Sequence, residues 1–370
     1  MLSDILDQIT RALGSALSPR TVRNLKRELR RSVLSKVGIA IVVLMLSMAV
    51  FAPLIAPYSP GQQNLEEARQ PPLGFSTAET QEVTVQENGS VVIENGQIVT
   101  ENRTVYENAT LAHPLGTDGN GRDILSRVIY GARTSILVGL FGTGLAALIG
   151  VTVGLTAGYY GDKVDDALMR AADIMLAFPS LVLAIALVGV WGQAVVRIPD
   201  PFVTTGFAGW WRELLGLTTG TMPSNVVLPG TVIVVVALVN WVWFARVSRG
   251  EALSVREEEY VKAARALGAG NSRIIGRHVL PNSVTPILVL ATIQVAAIIL
   301  LESALSFLGF SGADVSWGFD IALGRQYQST SWWISTIPGI AIVLTVIGLN
   351  LVGDWLRDAF DPGIEGEGGV

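Results

Sequence analysis

Residues 251–282 read EALSVREEEYVKAARALGAGNSRIIGRHVLPN and lie between two long apolar stretches. The segment is charged and helix-prone, and an i, i+3, i+4, i+7 spacing marks one helical face. The residues at these four positions are Tyr260, Ala263, Ala264 and Leu267. The pattern predicts a short helix with a small, apolar face that another protein can approach closely.

A turn and a second helix are predicted after this face. Gly268 begins a Gly-Ala-Gly sequence that ends the first helix, since glycine accepts the left-handed conformation that closes a helix. Asn271 or Ser272 is suited to cap a second short helix, which we expect to end by Pro281. Taken alone, the pattern is also compatible with a solvated loop between two membrane helices.

The segment resembles the EAA loop of ABC importer permeases, in which E-A-A is followed by three residues, Gly, nine residues and I-x-L-P. Here Lys262-Ala263-Ala264 is followed, after three residues, by Gly268 and then, after nine intervening residues, by His278-Val279-Leu280-Pro281. Lys262 and His278 depart from the Glu and Ile of the pattern. In that family the loop is a coupling helix that docks in a groove of the cytoplasmic ATPase. The resemblance therefore implies an ATPase-coupling site made by Tyr260, Ala263, Ala264, Leu267, Gly268 and Pro281.

The composition of the whole chain is that of a polytopic membrane protein. Half of the 370 residues are apolar, 15% are charged, and the mean hydropathy is +0.48. Six stretches without charge are long enough to span a bilayer, which needs roughly 20 apolar residues. They are residues 37–57, 134–161, 174–196, 214–245, 279–301 and 326–353. We predict an all-α membrane protein with six transmembrane helices, because backbone groups in lipid must pair within the chain.

The positive charges predict how these helices are oriented. With the N-terminus inside, the cytoplasmic segments carry 18 of the 26 Lys and Arg residues. This bias favours cytoplasmic N- and C-termini, with residues 251–282 on the same side. We therefore predict a multi-pass protein of the cell membrane.

The domain organisation follows from these spans. Residues 1–36 form a cytoplasmic, amphipathic and basic segment that precedes the first transmembrane helix (37–57), and residues 363–370 form a C-terminal tail. Residues 58–112 are an acidic extracellular insert, followed by the permease core at 113–362. In the insert, alternating Val, Thr and Ile with two Asn-Gly pairs predicts β-hairpins in a small three-stranded meander. It is either a surface for an external binding protein or an extension without a partner.

Further segments resemble the C-type permeases of dipeptide and oligopeptide importers: HPLGTDGNGRDILSRVIYGARTSI (113–136), LMRAADIMLAFPSLVLAIALVGV (168–190), SALSFLGF (303–310) and PGIAIVLTVIGLNLVGDWLRDAFDP (338–362). The resemblance implies a type I ABC importer permease with a MetI-like transmembrane domain. It implies as partners a second homologous permease, two cytoplasmic ATP-binding subunits and an extracellular substrate-binding protein. The same permease type also carries nickel and other small solutes.

Two other functional classes fit the sequence less well. A secondary transporter usually has inverted repeats and buried ionisable groups near the midplane, where this sequence has almost no charge. A pore or scaffold protein has no need of a capped helix pair with a small-residue face.

The sequence predicts no catalytic, cofactor-binding or metal site and no nucleic-acid partner. It has no cysteine, two distant histidines and no G-x-x-x-x-G-K-[ST] phosphate loop. A calcium loop beginning at Asp118 fails, because its sixth position is Asp123 rather than glycine. Glu302, near the outer end of the fifth span, is a candidate pathway or gate residue, unless it simply reaches water there.

Overall fold

The structure is a computed structural model, and it describes most of the chain. The described residues are 25, 27–29, 32–84, 86–87, 90–91, 93–94, 97–98, 100–217 and 220–360, with the backbone alone at 78–107. Most of the predicted N-terminal segment 1–36 and all of the tail 363–370 lie outside this part of the chain.

Helices dominate the described residues. They are α1 (Val33–Ile55), α2 (Ile124–Tyr160), α3 (Asp162–Leu176), α4 (Ser180–Trp191), α5 (Pro201–Thr204), α6 (Phe207–Leu214), α7 (Gly230–Val255), α8 (Glu259–Ala266), α9 (Asn271–Ile274), α10 (Leu280–Phe307), α11 (Trp317–Gly324) and α12 (Trp333–Phe360). The strands are β1 (Ser76–Thr84), β2 (Gln86–Glu87), β3 (Ser90–Val91), β4 (Ile93–Glu94), β5 (Gln97–Ile98), β6 (Thr100–Asn108), β7 (Val196–Pro199) and β8 (Asn225–Leu228).

The predicted all-α membrane architecture is confirmed. Among the described residues, five helical segments are long and apolar enough to cross a membrane: α1, α2, α7, the continuous run Asn271–Phe307, and α12. The third predicted span differs from the single helix expected over 174–196. It is a pair, α3 and α4, bent by 90° at a short break. Pro179 explains the break, since the residue before a proline is driven out of the helical conformation.

The helices α2 and α7 approach each other through three glycines spaced four residues apart. A Cβ at Gly150, Gly154 or Gly158 would overlap carbonyl oxygens of α7, those of Trp241, Ala245 and Arg249 respectively. Small residues at this spacing let two helix backbones come close, which favours association in lipid. This contact makes α2 and α7 a closely packed pair at the centre of the bundle.

A proline in α1 explains the position of a buried arginine. Pro53 has no N–H, so the carbonyl of Ala49, four residues earlier, loses its helical partner. Arg133 of α2 supplies one, since its Nε donates to the Ala49 oxygen at 2.9 Å while its Nη1 pairs with the buried Asp200. The arginine therefore satisfies a kinked neighbouring helix, which is why α2 carries this charge inside the bundle.

The insert is β-rich, as expected, but it is not a three-stranded meander. The strands β1 and β6 form one long antiparallel ribbon, from the pair Ser76–Asn108 to the pair Thr84–Thr100. Between them, β2 pairs with β3 and β4 with β5 as two small hairpins. Each of these hairpins leaves two residues between its strands, the Asn-Gly pairs that predicted them.

The bundle has two ends, and the one that holds the predicted coupling segment, residues 251–282, is called the coupling end. The coupling end holds the C-termini of α2 and α7 together with α8 and α9, where Tyr159 donates from its hydroxyl to Asn271 at 2.9 Å. The far end holds the C-terminus of α1, the N-terminus of α2 and the C-terminus of α10. There the indole of Trp317 donates to the Val128 carbonyl, and that of Trp333 to the Thr117 carbonyl, both at 3.0 Å.

Candidate functional site

The predicted contact face lies on α8 at the coupling end and is open in this chain. Leu267 is 89% exposed and Tyr260 is 45% exposed. Ala263 is exposed and Ala264 is half-buried. The helical spacing read from the sequence therefore places these four residues together on an uncovered surface.

A different side of α8 packs against the bundle. Val261 is fully buried, in one apolar cluster with Leu155 of α2, Val255 at the end of α7 and Ile274 of α9. The guanidinium of Arg265 lies 5.4 Å from the centre of the Tyr159 ring, which is near enough for a cation–π contact. The coupling segment is therefore fastened to the ends of two spans and is not a solvated loop.

The turn after α8 is a Schellman motif. Ala269 N–H donates to the Ala264 carbonyl and Gly268 N–H to the Arg265 carbonyl, both at 3.0 Å. Gly268 has φ +83°, the left-handed conformation that glycine adopts without strain. The predicted glycine stop is thus present at the expected position.

The second helix of the segment is longer than the sequence indicated. The helix α9 has no side-chain cap, so neither Asn271 nor Ser272 plays the predicted capping role. It also does not end by Pro281, because a π-helical turn, Ile275–Val279, carries it directly into α10. The π-helical turn, which is wider than an α-helical turn, explains why the helix does not end before Pro281. Pro281 sits in the first turn of α10, where a missing N–H is tolerated, and the π turn takes up the misfit before it.

Two further contacts join α8 to the start of α10. Asn282 Nδ2 donates to the Tyr260 hydroxyl at 3.1 Å and to the His278 carbonyl at 2.5 Å. The Tyr260 and His278 rings lie 6.0 Å apart. His278, where the family pattern has Ile, thus contributes to holding Tyr260 in place.

Lys262, the other departure from the family pattern, pairs within its own segment. Its ammonium is 3.3 Å from Glu259 and 3.9 Å from Glu257, with all three side chains exposed. Exposed pairs of this kind contribute about 0–1 kcal/mol. The local arrangement therefore does not depend on the charge at position 262.

Glu302 is not part of this site, and it does not reach water. It lies near the far end of α10 with no exposed surface. Its carboxylate accepts from the hydroxyl of Ser306, at 2.6 Å, and from that of Ser135 on α2, at 3.0 Å. The alternative that it reaches water is therefore wrong, because the helix continues to Phe307 and α2 covers Glu302.

The far-end sequence that first suggested a calcium loop is a structural turn. Asp118 accepts from the backbone N–H groups of Asn120 and Arg122, at 2.8 and 3.0 Å, and from the Arg122 side chain. Asp123 caps α2, accepting from the Ser126 N–H at 2.7 Å. Its other oxygen is 2.9 Å from Nδ1 of His113, and this hydrogen bond raises the pKa of His113 above its ordinary value. These residues fix the start of α2.

The sequence did not identify the residues that anchor the coupling segment. Val261 and Ile274 fall outside the predicted face, yet they are the ones that bury it against α2 and α7. A signal was present, since Val261 is a β-branched apolar residue between charged neighbours. Tyr159 could not have been found, because only the fold brings the end of α2 beside α9.

Two families match this chain. Residues 150–366 match the family described as "Binding-protein-dependent transport system inner membrane component". Residues 23–72 match a second, described as "N-terminal TM domain of oligopeptide transport permease C". The first match includes the whole coupling segment.

Three relatives cover most of the chain. It is 34% identical over 351 residues to "Dipeptide transport system permease protein DppC" of Alkalihalophilus pseudofirmus, covering 94% of this chain and 91% of that protein. It is 35% identical over 328 residues to the Escherichia coli protein of the same name, covering 88% of each. It is 31% identical over 327 residues to "Di/tripeptide transport system permease protein DppC" of Pseudomonas aeruginosa, covering 88% of this chain and 86% of that protein.

Proposed function

This chain belongs to the family of binding-protein-dependent transport system inner membrane components and is a membrane-spanning permease subunit of an ABC importer, and we propose that it couples to its ATPase through α8. The family consists of transport permeases and not of enzymes, so ATP hydrolysis belongs to a partner protein. The surface that contacts the ATPase is the face of Tyr260, Ala263, Ala264 and Leu267. The turn at Gly268 ends this face, and Pro281 at the start of α10 supports it.

The observation that carries this proposal is Leu267, an 89% exposed leucine on a helix that is otherwise fastened down. Burying a leucine side chain contributes about 1.5–3 kcal/mol. The buried Val261 already fixes α8 on the bundle. A partner that binds Leu267 therefore orders little further chain, and the entropic cost of binding is small. A small apolar face on an anchored helix is more stable when it is buried in a groove of another protein than when it is exposed to water.

The remaining partners and the cargo are proposed on the strength of the family. The complex contains a second, homologous permease, two ATP-binding subunits on the coupling side and a substrate-binding protein on the far side. Its cargo is a dipeptide or a short oligopeptide, as the names of its relatives indicate. Both termini and α8 face the cytoplasm, in agreement with the distribution of Lys and Arg. Closure of the ATPases would move α8 and reorient the spans by alternating access.

Two leucines provide a matched test of this arrangement, because the chain has no native cysteine. Leu267 and Leu111 are 89% and 84% exposed, at the coupling end and the far end respectively. In the assembled complex, Leu267→Cys should form a cross-link to a cysteine in the ATPase groove, and Leu111→Cys should not. In intact cells, an impermeant thiol reagent added outside should label Leu111→Cys and leave Leu267→Cys unlabelled.

Each result can overturn a different part of the proposal. The absence of a cross-link from Leu267→Cys in a complex that hydrolyses ATP would refute the coupling role of α8. External labelling of Leu267→Cys would reverse the membrane orientation and leave the family assignment intact.

A further inference from the structure

The short helix α6, between the third and fourth spans, has three distinct sides. Its apolar side follows the i, i+3, i+4, i+7 spacing and consists of Phe207, Trp210, Trp211 and Leu214. On this side Leu214 is 65% exposed and Trp210 is 57% exposed. A second side is buried against the bundle, and a third carries Gly209 and the exposed Glu213.

The buried side fixes the depth of α6 in the bundle. Ala208 and Arg212 are buried, four residues apart. The Arg212 guanidinium donates to the carbonyl oxygens of Ala56 and Pro57, at 2.8 Å for the second. These two carbonyls are the first after the end of α1 at Ile55. The helix α6 is therefore held level with the point at which the first span ends.

The apolar side of α6 continues the outer surface of the first span. The Phe51 ring, exposed on α1, lies 6.0 Å from the Phe202 ring. Phe202 lies 6.4 Å from Phe207, which lies 5.7 Å from Trp210. Exposed Val50 and Ile55 lie on the same helix as Phe51. An unbroken aromatic row thus leads from the surface of a transmembrane helix onto α6.

We propose that α6 lies in the plane of the lipid headgroup layer at the far end, with its apolar side against the acyl chains and Glu213 in water. Tryptophan favours this layer, because its ring meets the acyl chains while its N–H meets the headgroups. Phenylalanine and leucine complete the apolar side of helices that lie there. An amphipathic helix with one apolar side lies in that plane. The cation of α6, Arg212, is turned inward and holds α6 to α1, so a tilt of the first span would carry α6 with it.

A covering protein, either the second permease or the binding protein, is the competing occupant. The continuity with α1 favours lipid, because the row starts on the exposed surface of a membrane-spanning helix. Neighbouring positions on α6 separate the occupants: Leu214 faces the proposed lipid side and Glu213 the proposed water side.

The experiment uses the complete complex in lipid nanodiscs, with a nitroxide spin label on Leu214→Cys or on Glu213→Cys. Collision rates with oxygen, which concentrates in acyl chains, and with a polar nickel chelate, which stays in water, are measured with and without the binding protein. We expect a severalfold higher oxygen-to-nickel ratio at position 214 than at position 213, unchanged by the binding protein.

Two results would overturn the proposal. Equal, nickel-dominated collisions at both positions would place α6 in water. Protection of position 214 from both reagents would show that a protein covers it, the binding protein if protection appears only on its addition and the second permease otherwise. Both readouts report the surroundings of α6 directly, so they do not depend on the coupling role of α8.

Discussion

The turn after α8 offers a test in which two nearby glycines differ in their backbone conformation. Gly268 has φ +83° and Gly270 has φ −69° with ψ 150°. A Cβ at either position would meet nothing within 4 Å, so neither is a packing site. Valine at position 270 enters the extended region that it favours, whereas valine at position 268 is forced into the left-handed region.

The expected magnitude follows from that difference. A left-handed conformation costs an L-residue about 1–2 kcal/mol, because Cβ approaches the following carbonyl oxygen. This energy corresponds to a factor of about 5–30 in the population of the native turn. Gly268→Val should therefore weaken ATPase binding by up to that factor, because the turn at Gly268 fixes the position of the exposed face that ends at Leu267. Gly270→Val should bind as the wild type does.

The assay is a titration of the ATP-binding subunit onto the permease pair in nanodiscs, together with ATP-driven uptake in proteoliposomes. Both glycines lie outside the spans, so insertion and abundance should match the wild type and are measured in parallel. If Gly268→Val and Gly270→Val bound the ATPase equally well, the positive φ would not matter for docking. The argument that links the turn to coupling would then be wrong.

Three further perturbations test other parts of the molecule. Gly154→Val should lower the complex yield and the melting temperature, because the valine side chain meets the Ala245 carbonyl and overpacking costs about 1–3 kcal/mol. Gly144→Val, at a position on the same helix where a Cβ would meet nothing within 4 Å, should change neither. The hydrogen bond to Asp123 raises the pKa of His113 in the folded protein. The charged His113 ring therefore stabilises the fold fully below the ordinary pKa of histidine, and this stabilisation is lost as the pH rises through the raised pKa. The melting temperature should fall over that window in the wild type and stay level in His113→Gln. Glu302→Gln should preserve assembly and reduce uptake if the predicted gate role holds, and wild-type uptake would leave Glu302 a packing residue.

The sequence predicted the membrane class and the exposed helical face between Tyr260 and Leu267 well, because both depend on local patterns. Long apolar runs report spans whatever their neighbours are. The spacing of Tyr260 and Leu267 reports a helical face directly. The stop at Gly268 is equally local, since its hydrogen bonds close within six residues.

The uncharged stretches that predict the spans do not give the full length of the helices. The second span was expected over residues 134–161, and the helix that contains it, α2, begins earlier, at Ile124, and includes both Arg127 and Arg133. Their partners, Asp320 and Asp200, come from distant parts of the chain. A hydropathy pattern cannot show which charges will be paired in the fold. A paired arginine inside a helix is therefore mistaken for the end of an apolar stretch.

Other missed features had a signal in the sequence. The glycines at 150, 154 and 158 have the small-residue spacing of closely packed membrane helices, and Pro179 marks the break in the third span. By contrast, nothing in the sequence indicated that α9 continues into α10. The π turn that joins them is a compromise between a proline and the packing of Ile274, and packing is known only from the fold.

That junction bears on how a movement at α8 would reach the far end. The helix α10 is continuous with α9 and has 28 residues, which corresponds to about 42 Å at 1.5 Å per residue. A tilt of about 10° in a straight helix of this length displaces its other end by about 7 Å. Near that other end lies Glu302, bonded to Ser135 of α2, while Val261 and Ile274 bind the near end to α2 and α7. These contacts join α10 to α2 near its far end and to both α2 and α7 at its near end. A helix that slid alone would have to break the Glu302 hydrogen bonds at one end, which leaves a buried carboxyl group without partners, or expose Val261 at the other, which returns apolar surface to water.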